Sequence, residues 1–299
     1  MTKKIFLTIG AILLLIIISI FYLSTVGIET TKFNKFIKKE IKQYNNKSDI
    51  ILKKVKLKLN LDNLFININT FDPVVTLNST KIPLEKLNFS ISIKSYLNKE
   101  FGIKKASIET KYNKINKFID IYQSENGSVQ FYILSRMLKD GEIKFKVDLE
   151  FDPKGKLKKN FIIYGNIKEA KINISNDFIF DGIKFDFEFK KNSYELTNTH
   201  FNFNNVDFNS NKILIKNKNE YYKVKADVKN KNGILNNKIL SILLKEYQKF
   251  LNIENSKISS NSNFSFDIIK DFKIRNLKAT SNIRISEFRY LSKYKKIKK

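Results

Sequence analysis

The chain has no cysteine and no tryptophan, and only three prolines, nine glycines and one histidine in 299 residues. Without cysteine there is no disulfide framework, thiolate metal site or sulfur nucleophile. The lone histidine, His200, rules out a multi-histidine metal centre, and no serine and aspartate around it suggest a triad. The glycines are scattered, so no phosphate-cradling loop is present. Arginine is scarce as well: Arg136, Arg275, Arg284 and Arg289 are the only four among 56 basic residues. The formal charge is +27 and therefore rests on lysine. Lysine is a point charge, whereas groove readers favour the planar arginine fork. These lysines also alternate with apolar residues along the whole chain. Nucleic acid is not an expected partner; solvated strand faces or an anionic membrane surface are.

Paired carboxylates give no stronger hint of chemistry. Asp148 and Glu150 share strand parity with Lys144 and Lys146, opposite a phenylalanine-bearing face, and read as a solvated ladder. Asp186 and Glu188 read the same way. No enzyme, metal or cofactor is expected.

The first positive feature is the uncharged run Ile5–Leu23 (IFLTIGAILLLIIISIFYL). At about 1.5 Å per residue a helix of this run is roughly 28 Å long, close to one hydrocarbon core. It exceeds the apolar length of a signal peptide, and Ser24-Thr25-Val26-Gly27 is a poor cleavage site. Residues 1–27 are therefore expected to form an uncleaved membrane anchor ahead of a β-rich body, 28–299. Charge counting leaves the orientation open, because the lysines after the span outnumber those before it.

Thr30 or Thr31 is expected to cap a helix bearing one apolar stripe: Phe33, Phe36, Ile37 and Ile41. From residue 51 the period becomes two. Strands are expected at Val55–Leu61, Leu64–Thr70, Val74–Asn78, Leu87–Ser95 and Ala106–Thr110, with a weaker one at Lys117–Tyr122. Asp72-Pro73 and Ile82-Pro83 read as breaks. Residues 128–139 read as a short helix ending at Asp140-Gly141. Then Ile143, Phe145, Val147, Leu149 and Phe151 share a face, and Asp152-Pro153-Lys154-Gly155 turns the chain toward Phe161, Ile163 and Gly165. Ile172 and Ile174, then Ile183, Phe185, Phe187 and Phe189 follow. A bulge near His200 precedes Phe201 and Phe203, and the pattern continues through Ile213, Val224, Phe264 and Ile283. Residues 236–251 read as a second amphipathic helix. The fold class is mainly β: an N-terminal transmembrane helix, an amphipathic helix, then a long curved antiparallel sheet or groove with two short helices.

So many one-sided apolar strands need a cover: a second sheet, closure into a barrel, or lipid. Periodicity alone leaves these open. If lipid is the cover, Phe145, Val147, Ile183, Phe185 and Phe187 are the groove candidates. The strand pattern still runs at Ile283, Ile285 and Phe288, so a longer parent protein or a partner is expected to continue the sheet.

The order of span, Phe/Ile helix and lysine-rich strands in GIETTKFNKFIKKEIKQYNNKSDIILKKVKLKLNL (residues 27–61) resembles the N-terminal part of the AsmA-like family, bridge-like lipid transport proteins of Gram-negative bacteria. KGKLKKNFIIYGNIKEAKINI and NFSFDIIKDFKIRNLKATSNI are similar in style to that family's strands. The likeness is one of texture and order, without an invariant signature. It implies an inner-membrane anchor with a cytoplasmic N-terminus and a periplasmic body. It further implies a β groove carrying phospholipid acyl chains toward the outer membrane, with other envelope proteins as partners and no catalytic residues. Members are often much longer than this chain. The alternative is a membrane-anchored scaffold with a closed β core that aids outer-membrane protein assembly.

Overall fold

In the computed structural model, residues 2–98, 101–127, 129–175, 178–236, 253–269 and 273–290 are described. The expected helix at 236–251 lies outside them but for Asn236, which ends a strand. The first element is helix α1 (Thr2–Thr25), in which Phe6–Thr25 has a mean hydropathy of 2.8 and is long and apolar enough to cross a membrane. Three of its hydroxyls are satisfied within the helix: Ser19 donates to Leu15 O (2.8 Å), and Ser24 and Thr25 donate to Phe21 O (2.9 and 2.7 Å). An apolar solvent requires that internal pairing. The helix ends at Gly27, whose φ of +79° and 2.5 Å approach of a built Cβ to Leu57 O admit only glycine.

The chain divides into two compact units, residues 1–113 with 144–163, and residues 114–143 with 164–299. The first holds α1, β1 (Ile28–Thr30), α2 (Asn34–Tyr44), β2 (Ser48–Ile51), β3 (Val55–Asn60), β4 (Phe65–Thr70), β5 (Val74–Leu77), β6 (Thr80–Ser92), α3 (Ile93–Leu97) and β7 (Ile103–Thr110). Neither Thr30 nor Thr31 caps α2 with its side chain. Phe33 occupies the cap position, while Thr30 Oγ1 accepts from Lys32 N in the preceding turn. The helix is tied down instead by Asn34 Nδ2, which donates to Leu52 O and Lys53 O, and by Lys38, 3.0 Å from Asp49 on β2.

The long strand β6 changes partners midway. Its start pairs with β5 (Val74 opposite Pro83) and its end with β4 (Asn69 opposite Asn88). The expected break at Ile82-Pro83 is thus a point inside a strand, opposite the first residue of β5, where the missing N–H is tolerated. Thr70, 1% exposed, closes this corner: its hydroxyl accepts from Leu87 N (3.0 Å) and donates to Leu87 O (2.8 Å). Thr110 repeats the device on Phe145, accepting from its N (2.9 Å) and donating to its O (3.3 Å).

From β8 (Asn113–Lys114) the chain enters α4 (Ile115–Asn126) and α5 (Val129–Met137). The expected strand at Lys117–Tyr122 is therefore helix: Ile115 and Ile119 are four apart and both meet one apolar cluster. Strand β9 (Leu138–Glu150) follows α5 directly, so Asp140-Gly141 lies inside a strand and does not end the helix. The turn at Asp152–Gly155 forms as expected, with Asp152 Oδ1 accepting from Lys154 N and Lys156 N.

The second unit continues with β10 (Ile162–Asn173), β11 (Ile179–Lys190), β12 (Ser193–Phe203), β13 (Val206–Asn217), β14 (Tyr221–Asn236), β15 (Ile253–Ile269) and β16 (Ile274–Tyr290), each beside its sequence neighbour. All described strand pairs are antiparallel from β11 to β16. The protein is thus mainly β, with a large antiparallel open sheet, an apolar N-terminal helix and a few short helices. Asparagine supplies much of the turn chemistry: among the described residues, seven of the eleven non-glycine residues with positive φ are Asn. Asn204-Asn205 forms the two-residue hairpin between β12 and β13, while Asn198, Asn232 and Asn276 sit at register shifts.

Candidate functional site

Alternation along each strand assembles apolar rows that run across the sheet. In the second unit Phe187 stands opposite Leu196, then Ile213, Ala226, Phe264 and Ala279 follow in register. The neighbouring row is Phe189, Tyr194, Ile215, Val224 and Phe266. Phe185 and Phe187 meet edge-on at 6.3 Å, and Phe187 and Phe189 stack at 4.5 Å. Phe187 is 5% exposed and Val224 4%. Tyr194 packs on Phe189 at 5.3 Å, and burial pushes its phenol above the usual range, which keeps this row uncharged. A separate aromatic field joins Phe180, Phe201, Phe203 and Phe208, with ring centroids 4.9–6.0 Å apart.

Between these fields lies a polar belt that sequence reading missed. The bulge is where it was expected, at His200: compensating register shifts flank the Lys184–His200 pair, with Gly182 and Asn198 at positive φ. Thr199 and Ser210 face each other across β12 and β13, both buried, and neither hydroxyl has a hydrogen-bond partner. Asn230 Oδ1 is likewise unpartnered, and Ser262 and Ser281 bond each other at 2.7 Å. Small polar residues sharing the parity of the phenylalanines on either side were the available signal, masked by those rings. His200 itself lies 3.0 Å from Asn209 Oδ1 and 3.6 Å from Asp207 Oδ1.

The five groove candidates do not form one set. Phe187 belongs to the first row, and Phe185 meets it edge-on from the bulge. Ile183 instead packs on a helix-covered cluster with Ile119 of α4, Phe131 of α5, Leu138 of β9 and Ala170 of β10. Phe145 and Val147 lie in the first unit, with Val147 opposite Ile108 and Phe145 held at its backbone by Thr110. That unit carries its own row: Leu57, Ile68, Phe89, Ala106 and Leu149.

At the last strand of the second unit the apolar side chains face solvent. Ile274, Leu277, Ile283 and Ile285 are each about three-fifths exposed (59, 61, 60 and 59%). Among the described residues, no group of three or more His, Cys, Asp or Glu side chains is placed to hold a metal ion. Chemically the surface offers apolar contact along successive equivalent positions. No protein-family model matches the chain, and no curated protein or solved structure is significantly similar to it.

Proposed function

We propose that this is a membrane-anchored protein whose apolar sheet face binds the acyl chains of phospholipids. In this reading α1 spans the inner membrane with a cytoplasmic N-terminus. The β units stand in the periplasm and serve phospholipid transport to, or homeostasis of, the outer membrane. The observation that carries it is the two apolar rows of β11 to β15, the first reaching Ala279 on β16, together with the exposed isoleucines farther along β16. Each such side chain is worth about 1.5–3 kcal/mol on burial, so a face of this extent favours an apolar occupant. An acyl chain laid across the strands meets one equivalent position after another, which suits movement along a rail better than capture in one pocket. The resemblance to AsmA-like proteins points the same way.

The scaffold reading has one specific observation in its favour. Ile183, Leu138 and Ala170 lie beneath α4 and α5 as an ordinary covered core. A phospholipid carrying a photoactivatable group in its acyl tail separates the two. Crosslinks to peptides from β11–β16 of the full chain are expected; crosslinks confined to α1 would favour the scaffold.

A further inference from the structure

The side of β13–β16 opposite the apolar rows carries a second surface. Lys212, Lys225, Lys278 and Asp227 line a concavity of about 510 Å³ there, with Asn263, Ser265 and Thr280 between them and Leu214, Ala226 and Phe264 at its walls. Ser265 stands between Lys225 and Lys278 in register, so these two lysines are two strand spacings apart, roughly 10 Å. Along the strands, Lys216 lies directly opposite Lys223, a like-charge pair whose other flank is Asp267 opposite Lys223.

The carboxylates nearby are already engaged. Asp227 is turned to the β13 bulge, where it accepts from Asn211 N (3.3 Å) and Lys212 N (3.0 Å). Asp267 accepts from Asn276 Nδ2 at 2.8 Å, and Glu195 holds Lys212 Nζ at 2.5 Å. Lys225 and Lys278 are exposed and have no ion-pair partner among the described residues. The concavity thus holds three lysines against one lining carboxylate, Asp227, which is engaged by backbone N–H groups.

The geometry points to this face as a docking surface for anionic phospholipid headgroups, with Lys225 and Lys278 bracketing a headgroup phosphate. Three observations select a membrane over nucleic acid. The cations lining the hollow are lysines, without the arginine fork that reads base edges. On these strands Phe264, Phe266 and Tyr222 belong to the other side and Tyr221 alone shares the lysine side among the described residues, so a single ring and no run of stacking platforms accompanies the charge. The chain also carries its own membrane-spanning candidate. Acyl chains and headgroups would then engage opposite sides of one sheet, so either can fail without the other.

The test holds the full chain in a neutral phosphatidylcholine nanodisc and measures capture by floating vesicles. Vesicles containing phosphatidylglycerol should capture it, with affinity falling steeply as salt shortens the screening length. Lys225→Gln with Lys278→Gln should weaken capture about 25-fold, about fivefold per lysine. Lys54→Gln with Lys86→Gln makes the same change of net charge on exposed residues elsewhere and should leave capture within about twofold. Glycerol phosphate that competes with the vesicles at low concentration would show a free-phosphate site and overturn the membrane assignment. Equal capture by neutral vesicles, equal loss in both double variants, or tighter binding to single-stranded DNA would overturn the proposal.

Discussion

Gly141 sits inside β9 with φ of +143°, pressed between β10 and α4. A Cβ added there would lie 2.8 Å from Ala170 Cβ, 2.8 Å from Ile115 Cδ1 and 2.9 Å from Ala170 Cα. Ordinary carbon contacts are about 3.5–4.0 Å, so Gly141→Ala must push a strand backbone or a helix away. Overpacking of this kind costs about 1–3 kcal/mol, and the backbone conformation adds about 1–3 kcal/mol for an L residue. The sum, about 2–6 kcal/mol, is a large share of the roughly 5–15 kcal/mol that keeps a domain folded. At about 2–4 °C per kcal/mol for a unit of this size, Tm should fall by roughly 5–20 °C. Circular dichroism of the full chain in mild detergent, followed on heating, measures this. Gly127→Ala is the internal control. It also has positive φ, +52°, but no atom lies within 4 Å of its built Cβ. It should lose only about 1 kcal/mol. Equal shifts in the two variants would refute the close packing of α4 on β9 and β10.

Three further outcomes are expected. Alkaline carbonate should leave the expressed chain in the membrane pellet; release of a form starting near Gly27 would mean that α1 is cleaved. Thr70→Val and Thr110→Val should each cost about 1–3 kcal/mol in thermal unfolding, because each strands a backbone donor and acceptor at a strand corner. Stability should also fall in acid. Lysine hydrogen bonds hold the carboxyls of Asp49, Asp72, Glu85, Asp140 and Glu150 below their usual range. A depressed folded pKa means stability complete above the unfolded value and lost as pH drops through the folded one. Tm should therefore hold down to about pH 5 and decline below about pH 4; a rise over that interval would contradict these pairings.

Period-two alternation located most strands and the shared parity of Phe185, Phe187 and Phe189, because that pattern survives any tertiary arrangement. What it could not supply was pairing. The row from Phe187 to Ala279 exists through cross-strand register, and that is set by bulges at Gly182, Asn198, Asn232 and Asn276. Many of the asparagines act in left-handed backbone at hairpins and bulges, a role that alternation does not reveal. Lys117–Tyr122 was misread because FID alternates over too short a span to distinguish period two from 3.6. Ile183 shares parity with Phe185 but lies under α4 and α5, a neighbour that only the fold brings to it. The polar belt and the Lys225–Lys278 pair were invisible for the same reason: each is assembled from strands distant in sequence.

The account stands or falls on whether acyl chains occupy the apolar rows. Phe187 is too buried to test this cleanly, since an aspartate there would threaten the sheet itself. Ile283 and Ile285 on β16 are exposed, so Ile283→Asp with Ile285→Asp removes apolar surface while sparing the packed rows. The decisive measurement is the phospholipid that co-purifies with the full chain in mild detergent, counted by mass spectrometry against this variant. The account predicts bound phospholipid on the parent and clearly less on the variant, with the strand spectrum unchanged. A parent chain without phospholipid, or a variant carrying as much as the parent, would contradict it.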